Sequence, residues 1–326
     1  MSEAQVVWLT APHTLEVRTE PLAAPGMGEV ACATIVSAIS PGTELAAFTG
    51  QPLLRPGTGF PRLQGYCNVA RVTALGAGVT GVAVGDRVLS FTSHRSAFNI
   101  AAADILLTLP ADADAGRIAT SYLFHLGYNA VLRGGVRAGH RVLVIGLGAL
   151  GLTSVAMAAV AGAEVTALSD HAATARRALA LGATAVVRRA DTLPQADVVI
   201  VTTNGWDDWH RALQAAAPLG TIAVLGFPGR GQPAPDFNPL ASEYFYVKQL
   251  RLEAVGLSPE AADSRHFLRF NERDNLAWIA GRIAVGRIDA DMLISGRYPG
   301  VEIARAYDDL LARRGDPVTY LLDWGA

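Results

Sequence analysis

The stretch from residue 141 to residue 151, Arg-Val-Leu-Val-Ile-Gly-Leu-Gly-Ala-Leu-Gly, constrains the fold of this chain more than any other. Its branched apolar residues, Val142 to Ile145, predict a buried parallel strand. The strand leads into three glycines spaced G-x-G-x-x-G, and an apolar helix pattern and a second strand follow. In this setting the first glycine allows a tight turn, the second leaves room for a pyrophosphate, and the third lets helix and strand pack closely. The pattern predicts a dinucleotide site, and the alternative is a glycine-rich turn that binds no nucleotide.

The predicted dinucleotide site extends to other turns of the same domain. The helix after the glycines offers free N–H groups and a positive dipole end to phosphates. Ligands of open α/β sheets sit at the carboxyl ends of the strands. The residues that meet these criteria are Gly146, Gly148, Ala149, Leu150, Gly151, Ser169, Asp170, Thr202, Thr203, Gly226 and Phe227.

Composition excludes several classes of protein. The 326 residues are enough for two domains, and 51% hydrophobic with 17% charged residues indicates a folded globular chain. A net charge of −2 without a basic patch argues against nucleic acid as a partner. No apolar run is long enough for a bilayer, and no signal peptide is visible at the N-terminus. Two cysteines make no disulfide framework, so the sequence predicts a cytoplasmic protein.

Three blocks follow one another along the chain. Residues 1 to about 122 carry short strand patterns between glycine turns, and residues 123–257 alternate strand and helix patterns, which predicts a doubly wound parallel sheet. Residues 258–326 begin with a helix near Asp274–Gly286 and end in a strand at Val318–Trp324. The predicted strands of the first two blocks are Glu29–Ile39, Val69–Leu75, Asp86–Phe91, Arg141–Ile145, Glu164–Leu168, Ala185–Val187, Val198–Thr202, Thr221–Leu225 and Leu250–Val255. The predicted helices include residues 152 to about 161, Ala172–Leu181 and Trp209–Ala217.

This order of blocks resembles the medium-chain dehydrogenase/reductase superfamily along essentially the whole chain. The resemblance rests on Gly85-Asp86-Arg87-Val88, on the mid-chain glycine motif, and on Leu293-Ile294, Tyr298-Pro299 and Ala306-Tyr307. It implies an α/β protein with a GroES-like β-barrel catalytic domain, residues 1–122 and 258–326, and an inserted Rossmann dinucleotide-binding domain, residues 123–257. Ser40-Pro41-Gly42-Thr43-Glu44 and the terminal Leu-Leu-Asp-Trp carry a weaker likeness to bacteriochlorophyllide hydroxyethyl dehydrogenases.

The zinc-ligand positions of the family hold no ligand in this chain. Ile39–Leu45 resembles the family's Cys-Gly-Thr-Asp segment, and Gln64–Cys67 resembles its Gly-His-Glu segment. The positions of the three catalytic zinc ligands read Pro41, Tyr66 and roughly Tyr122, whereas Zn²⁺ takes Cys, His, Asp or Glu. Two cysteines in the whole chain also cannot fill a four-thiolate structural site. The resemblance therefore implies a zinc-independent member with no metal.

Without a Lewis acid, a protein hydrogen-bond donor must supply the proton of the reaction. Thr43 matches a family position whose hydroxyl often relays a proton, or it caps a turn. Tyr66 is expected to face the substrate, or it fills the empty metal pocket. His125 is the best acid–base candidate by its ordinary pKa, about 6.5, or it is a hydrogen-bonded histidine at a domain interface. Tyr122 and His94 are further candidates, and the alternative for His94 is a solvated loop position.

The end of the second strand of the nucleotide domain bears on the cofactor. An acidic residue at this end binds the adenosine ribose in NAD enzymes. Counting from Gly182 places Ser169 at the usual acidic position, and a small residue there is common where a 2′-phosphate must fit. Asp170, the next residue, would repel that phosphate. The cofactor is therefore NAD or NADP, with a slight preference for NAD. The resemblance adds backbone near Gly226–Phe227 and Val255 as contacts of the nicotinamide amide.

Three functions stay open at this point. The first is a zinc-independent NAD(P)-dependent oxidoreductase that moves a hydride between nicotinamide and an alcohol or ketone. The second is an NADPH-dependent reductase of an activated C=C bond, as in quinone and enoyl reductases. The third is a nucleotide-binding protein without catalysis, against which the polar set of Thr43, Tyr66, Tyr122 and His125 argues. The expected partners are a small-molecule substrate and a second copy of the chain, as a homodimer formed through an edge strand near residues 250–257.

Overall fold

The chain divides into two compact units in a computed structural model that describes residues 2–51, 59–256, 258–260, 262–265 and 267–325. One unit comprises Met1–Tyr122 and Arg273–Ala326, and the other comprises Leu123–Glu272. The first unit therefore combines both ends of the chain, and the second is inserted between them. The predicted domain boundary falls between residues 257 and 258, and residue 257 lies outside the described residues.

The strands and helices have the following bounds. The strands are β1 (Ser2–Ala11), β2 (Thr14–Leu22), β3 (Glu29–Ala38), β4 (Arg62–Leu63), β5 (Cys67–Leu75), β6 (Arg87–Ser90), β7 (Ala97–Ala101), β8 (Leu107–Thr108), β9 (Arg141–Ile145), β10 (Glu164–Leu168), β11 (Ala185–Val187), β12 (Ala196–Val201), β13 (Ala216–Val224), β14 (Arg251–Ala254), β15 (Ile294–Pro299) and β16 (Thr319–Asp323). The α-helices are α1 (Pro41–Phe48), α2 (Ala115–Ala119), α3 (Ser121–Gly134), α4 (Ala149–Val160), α5 (Ala172–Ala180), α6 (Trp206–Ala215), α7 (Glu272–Ala284) and α8 (Ile303–Leu311).

The inserted unit contains a parallel sheet in the order β11-β10-β9-β12-β13-β14. In its centre, Val142 of β9 pairs with Val165 of β10 on one side and with Val198 of β12 on the other. This is the strand order of dinucleotide-binding sheets, in which the chain reverses direction across the sheet between β9 and β12. The predicted doubly wound Rossmann fold is confirmed, and the glycine motif follows β9 at that reversal point.

Burial on both faces explains why the strands of this sheet are continuously apolar. Val144 and Ile145 of β9 and Ile200 and Val201 of β12, neighbours that lie on opposite faces, are fully buried, as parallel sheets covered by helices require. One predicted helix is wrong at its end. The helix expected over Trp209–Ala217 spans Trp206–Ala215, because Ala216 already pairs with Ala196 and opens β13.

The unit made of both chain ends is built on two sheets. Strands β15-β16-β3-β5-β6-β8 form one, with β7 also paired to β3, and β2-β1-β4 form the other. Ten-residue β3 contacts β5, β7 and β16, so it is the axis of this unit. The C-terminal strand β16 thus completes a sheet that begins near the N-terminus. The architecture is the predicted GroES-like β-barrel.

A buried cluster lies at the end of this unit where β3 ends and α1 begins. It includes Val7, Ile39, Phe48, Tyr307 and Leu322. Phe48 of α1 meets the ring of Tyr307 of α8 edge-on, with ring centres 5.2 Å apart. Residues from both ends of the chain therefore fix the position of α1.

Across the described residues, no helix combines the length and the apolar character needed to cross a membrane.

Candidate active site

The Tyr66 hydroxyl lies at the start of helix α1. Tyr66 directly precedes β5, and its phenol donates a hydrogen bond to the Ser40 hydroxyl, which precedes α1. The Thr43 hydroxyl, exposed in the first turn of α1, acts to lower the pKa of the phenol. Burial raises the pKa of the Tyr66 phenol well above its usual value, and the negative charge of Glu44 adds to the rise. Tyr66 is therefore a protonated phenol at neutral pH.

Glu44 is the centre of a buried hydrogen-bond network beneath this phenol. It is 2% exposed, and its Oε1 accepts the Ser40 backbone N–H at 2.6 Å. Its Oε2 lies 2.9 Å from His94 Nε2 and accepts the Tyr307 hydroxyl at 2.5 Å. A buried carboxylate is tolerated when such partners satisfy its oxygens. Glu44 therefore ties two distant segments of the unit, those of His94 and Tyr307, to the start of α1.

His94 is fully buried, so its predicted alternative as a solvated loop residue is wrong. Its Nδ1 lies 2.8 Å from the Ser37 hydroxyl, and its backbone N–H donates to the Gln64 carbonyl at 2.7 Å. Gly65 covers the imidazole so closely that a Cβ there would lie 2.3 Å from the ring. With both ring nitrogens engaged and no exposed surface, His94 supports Glu44 and has no path of its own to solvent.

Tyr122 belongs to the same group as Tyr66. Their rings meet edge-on with centres 5.3 Å apart, and Phe91 meets Tyr122 in the same way at 4.8 Å. Edge-to-face contacts of this kind favour a fixed ring geometry. Thr43, Tyr66, His94 and Tyr122, four of the five predicted proton-handling residues, therefore lie in one unit, around the start of α1.

His125, the fifth candidate, belongs to the other unit. It lies on α3 three residues after Tyr122, with its side chain fully buried. Burial lowers the pKa of His125 to about 4. This value differs from the ordinary one used in the sequence argument, so the imidazole is neutral near pH 7. The expected Tyr66–His125 pairing stays a prediction.

The three glycines after β9 differ in what surrounds them. Gly146 has φ +89°, and a Cβ there would meet Thr203 at 2.3 Å. A Cβ on Gly151 would lie 1.7 Å from the Gly146 carbonyl oxygen. Gly148, the residue before α4, faces open space instead, with no atom within 4 Å of where a Cβ would stand. Gly146 and Gly151 are thus required by the fold, whereas space at Gly148 is left for something else.

Polar groups from neighbouring strand ends surround this loop. Ala149 and Leu150 form the first turn of α4. The Thr202 hydroxyl donates to the Gly146 carbonyl at 2.8 Å. The Thr203 hydroxyl oxygen is buried without a hydrogen-bond partner in the described part of the chain. A buried polar atom of this kind calls for a ligand or water, so the residues present fit a bound dinucleotide.

The predicted cofactor contacts Gly226, Phe227 and Val255 lie just after strands β13 and β14. A Cβ on Gly226 would lie 2.3 Å from the Thr203 carbonyl oxygen, so only glycine fits there. The Phe227 N–H donates to the Asn204 side chain at 3.0 Å. Val255 follows β14, and its N–H donates to the Val224 carbonyl at 3.0 Å. These turns stand at the carboxyl ends of β13 and β14.

Asp170 is held by an arginine that the sequence argument did not include. Its Oδ1 accepts the backbone N–H of Arg189 at 2.9 Å, and its Oδ2 lies 3.5 Å from Arg189 Nε. The same guanidinium binds both oxygens of Asp208. Ser169 turns away, because its hydroxyl contacts the backbone of His171. Asp170 is therefore the carboxylate presented at the end of β10, with a fixed orientation.

The residues that the sequence analysis missed act through tertiary contacts. Ser37, Ser40, Gln64, Tyr307 and Trp324 all contact the network around Glu44 and His94. Ser40 adjoins the segment that carried the family resemblance, and that position was the one available signal. No group of three His, Cys, Asp or Glu side chains that could hold a metal occurs among the described residues.

Comparisons with known proteins agree with this architecture. Residues 149–265 match the family described as zinc-binding dehydrogenase. The structure of 2R,3R-butanediol dehydrogenase from Bacillus subtilis aligns with a TM-score of 0.82 and 16% identity, covering 98% of this chain and 99% of that one. A putative zinc-binding dehydrogenase from Sinorhizobium meliloti, bound to NADP, aligns with a TM-score of 0.80 and 20% identity, covering 99% and 100%.

A third similar structure is an alcohol dehydrogenase from Escherichia coli complexed with NADH. It aligns with a TM-score of 0.80 and 17% identity, covering 99% of this chain and 100% of that one. At these identities the likeness establishes the fold. The predicted resemblance is confirmed at the level of the fold: the chain has the fold of these dehydrogenase structures, and residues 149–265, within its nucleotide unit, match the zinc-binding dehydrogenase family.

Proposed function

We propose that this chain is an NAD(P)-dependent oxidoreductase that transfers a hydride between nicotinamide and an alcohol or ketone, with a tyrosine in place of zinc. The observation that carries the proposal is the open space at Gly148, between two glycines that the fold itself requires. The buried, unpartnered Thr203 hydroxyl lies at the same strand ends. The structures bound to NADP and to NADH have the same fold, which supports a nicotinamide cofactor.

The residues of the chain divide the work as follows. When bound, the nicotinamide supplies or accepts the hydride. The N–H groups in the first turn of α4 bind the pyrophosphate. The Tyr66 phenol donates its proton to the substrate oxygen as negative charge develops there, and takes it back in the reverse direction. Burial keeps the phenol protonated at neutral pH, so it can serve as the donor when a ketone is reduced.

The slight preference for NAD gains support from Asp170. A carboxylate fixed at the end of β10 accepts ribose hydroxyls and repels a 2′-phosphate. Arg189 orients Asp170 from one side, and Asp208 holds both guanidinium ends of that arginine. The arginine is therefore engaged with two carboxylates, which disfavours its use as a 2′-phosphate ligand.

Zinc independence rests on the chemistry of the side chains present. Pro41 has no ligating atom, and the phenols of Tyr66 and Tyr122 are already part of an aromatic cluster. Glu44 and His94, the one acid–imidazole pair nearby, are each engaged in other hydrogen bonds. We expect less than one zinc per ten chains, on the order of background, in protein purified without chelator. About one zinc per chain, lost together with activity, contradicts this part of the proposal.

A homodimer is the further part of this proposal. Strand β14 is at the edge of the parallel sheet and pairs only with β13 in the part of the chain that the structure describes. An exposed edge strand invites pairing with another chain, and a two-fold axis closes such a pair. Of the segment 250–257 named from the sequence, residue 257 lies outside the described residues. Light scattering at micromolar concentration should give twice the chain mass, and a monomer mass refutes the dimer.

Replacing Gly148 with valine tests the cofactor site directly. The side chain enters open space, so the fold should persist while the pyrophosphate is blocked. Calorimetric titration with NADH should show binding to wild type and a loss of affinity of at least about 100-fold, about 2.7 kcal/mol, in Gly148→Val. Gly281→Val, at a second glycine with open surroundings, is the matched control and should bind NADH normally. Equal affinity in both variants places the nucleotide elsewhere.

A further inference from the structure

The Ser40 side chain does not do what a serine before a helix usually does. Serine at this position normally accepts a hydrogen bond from an N–H of the first turn. Here the Ser40 hydroxyl caps no N–H of α1 and instead accepts the Tyr66 phenol. Pro41, the first residue of α1, has no N–H to be capped, which lessens the need for a cap. The Ser40 hydroxyl is therefore available for another task.

Glu44 fixes the backbone of Ser40. Its Oε1 accepts the Ser40 N–H at 2.6 Å, while its Oε2 is held by His94 and Tyr307. Both partners of Oε2 are buried, so the carboxylate cannot swing away. The distance between Ser40 and Tyr66 is thus set by side chains from α1, α8 and the loop before β7, in addition to the local turn.

Within the part of the chain that the structure describes, no cationic side chain lowers the pKa of the Tyr66 phenol. Burial raises the pKa of Tyr66, and so does the negative charge of Glu44. Only the hydroxyls of Ser40 and Thr43 act in the opposite direction. Proton transfer from Tyr66 to a substrate therefore depends on hydroxyl groups that can rotate to donate toward the phenolate.

We propose that Ser40 is a positioning residue whose hydroxyl turns to donate to the Tyr66 oxygen as its proton leaves, with Glu44 fixing Ser40 in place. The inference rests on the proposed function. In the step, the Tyr66 O–H bond breaks and the substrate O–H bond forms, while the Ser40 hydroxyl keeps its proton and reverses its hydrogen bond. Water then restores the phenol proton by way of the exposed Thr43 hydroxyl.

The test follows the Tyr66 phenol itself, independently of turnover. The protein is produced with fluorotyrosine, which ionises more readily than tyrosine, and its eight tyrosine fluorine resonances are resolved by NMR. Tyr66→Phe assigns the resonance. Ser40→Ala should raise the ionisation midpoint of this resonance by about one pH unit or more, because a hydrogen bond to the charged form is lost. Glu44→Gln should lower it, because it removes the negative charge and keeps an acceptor for the Ser40 N–H.

Kinetics provide the second readout. Ser40→Ala should lower kcat about 10–100-fold with little change in KM, since Ser40 stabilises charge that develops only during proton transfer. Ser40→Thr keeps a hydroxyl and should recover most of kcat and the wild-type midpoint. Ser90→Ala is the control, a buried serine whose hydroxyl accepts the Thr92 N–H, and should move neither readout.

The outcomes separate the two proposals. If Ser40→Ala and Ser90→Ala give the same Tyr66 midpoint, the inference about Ser40 is overturned whatever the activity. A Ser40→Ala midpoint that rises while Ser40→Thr restores it supports the inference. Failure of NADH to bind wild type, or a Tyr66→Phe variant with wild-type kcat, overturns the proposed function, and with it the proton step assigned to Ser40.

Discussion

His94 Nε2 lies 2.9 Å from Glu44 Oε2, and both side chains are buried inside the barrel unit. This contact joins the loop before β7 to helix α1, two segments that no local interaction brings together. Glu44 is shielded from solvent, so its carboxylate depends on His94, Tyr307 and the Ser40 N–H for its hydrogen bonds. The His94–Glu44 pair therefore helps to fix the start of α1, where Tyr66 is held.

We predict that His94→Ala destabilises the barrel unit strongly. Removing one partner leaves a buried carboxylate with an unsatisfied oxygen and a cavity in place of the ring, at a cost of about 3–5 kcal/mol in unfolding free energy. Urea denaturation followed by circular dichroism measures this. His171→Ala, at an exposed position, should change the midpoint little. A His94→Ala midpoint equal to that of the control shows that the pair is not structural.

We predict that Gly65→Ala is more destabilising than Gly81→Ala. Both glycines have positive φ, +84° and +78°, so both substitutions carry the same backbone penalty of about 1 kcal/mol. Only the Gly65 methyl meets an obstacle, the His94 ring at 2.3 Å, whereas Gly81 has open space. The difference between the melting temperatures of the two variants measures the steric cost of the Gly65 methyl group. Equal melting temperatures mean that the imidazole moves away freely, against the tight packing described above.

We predict that His125 makes the protein less stable as the pH falls from about 6.5 to about 4. Burial lowers its folded pKa to about 4, against 6.5 for an ordinary histidine. The unfolded state therefore binds more protons between those values, and stability is lost as the pH drops through that window, by about 3 kcal/mol in all.

The comparison of His125→Gln with wild type checks this pH dependence. Urea unfolding at several pH values across the window should show a shallower loss of stability in the variant. His171→Gln, at the surface, should keep the wild-type slope. If His125→Gln has the wild-type slope as well, groups other than His125 account for the acid sensitivity.

We predict that Asp170→Ser shifts the cofactor preference toward NADPH. The change removes the carboxylate that repels a 2′-phosphate and releases Arg189 from one of its two acidic partners. The ratio of NADPH to NADH affinity should rise at least about tenfold, about 1.4 kcal/mol, in calorimetric titrations. Asp191→Ser serves as the control, because Asp191 also accepts a backbone N–H in the same loop, from Arg188. A ratio unchanged in Asp170→Ser removes this residue from the adenosine site.

Local pattern was enough to predict the nucleotide unit. The glycines after β9, the apolar strands and the order of strand and helix are short-range features, and each has one physical solution: a turn at positive φ, a buried parallel strand, a covering helix. The missed boundary at α6 shows the limit of this. Ala215 and Ala216 look alike in sequence, and only the pairing of Ala216 with Ala196 ends the helix.

The candidate catalytic group was decided by the tertiary structure. Tyr66 and Ser40 are 26 residues apart, His94 and Glu44 are 50 apart, and Tyr307 reaches Glu44 across 263 residues. Sequence periodicity does not predict such contacts, because hydrogen-bond partners in a β-barrel depend on which strands lie next to one another when the barrel closes. The sequence, through its resemblance to the family, was enough to predict a zinc-independent site and to name the residue types at the zinc-ligand positions. The closed barrel decided that His94 is buried, that Glu44 is the centre of the network, and that Ser40 faces Tyr66.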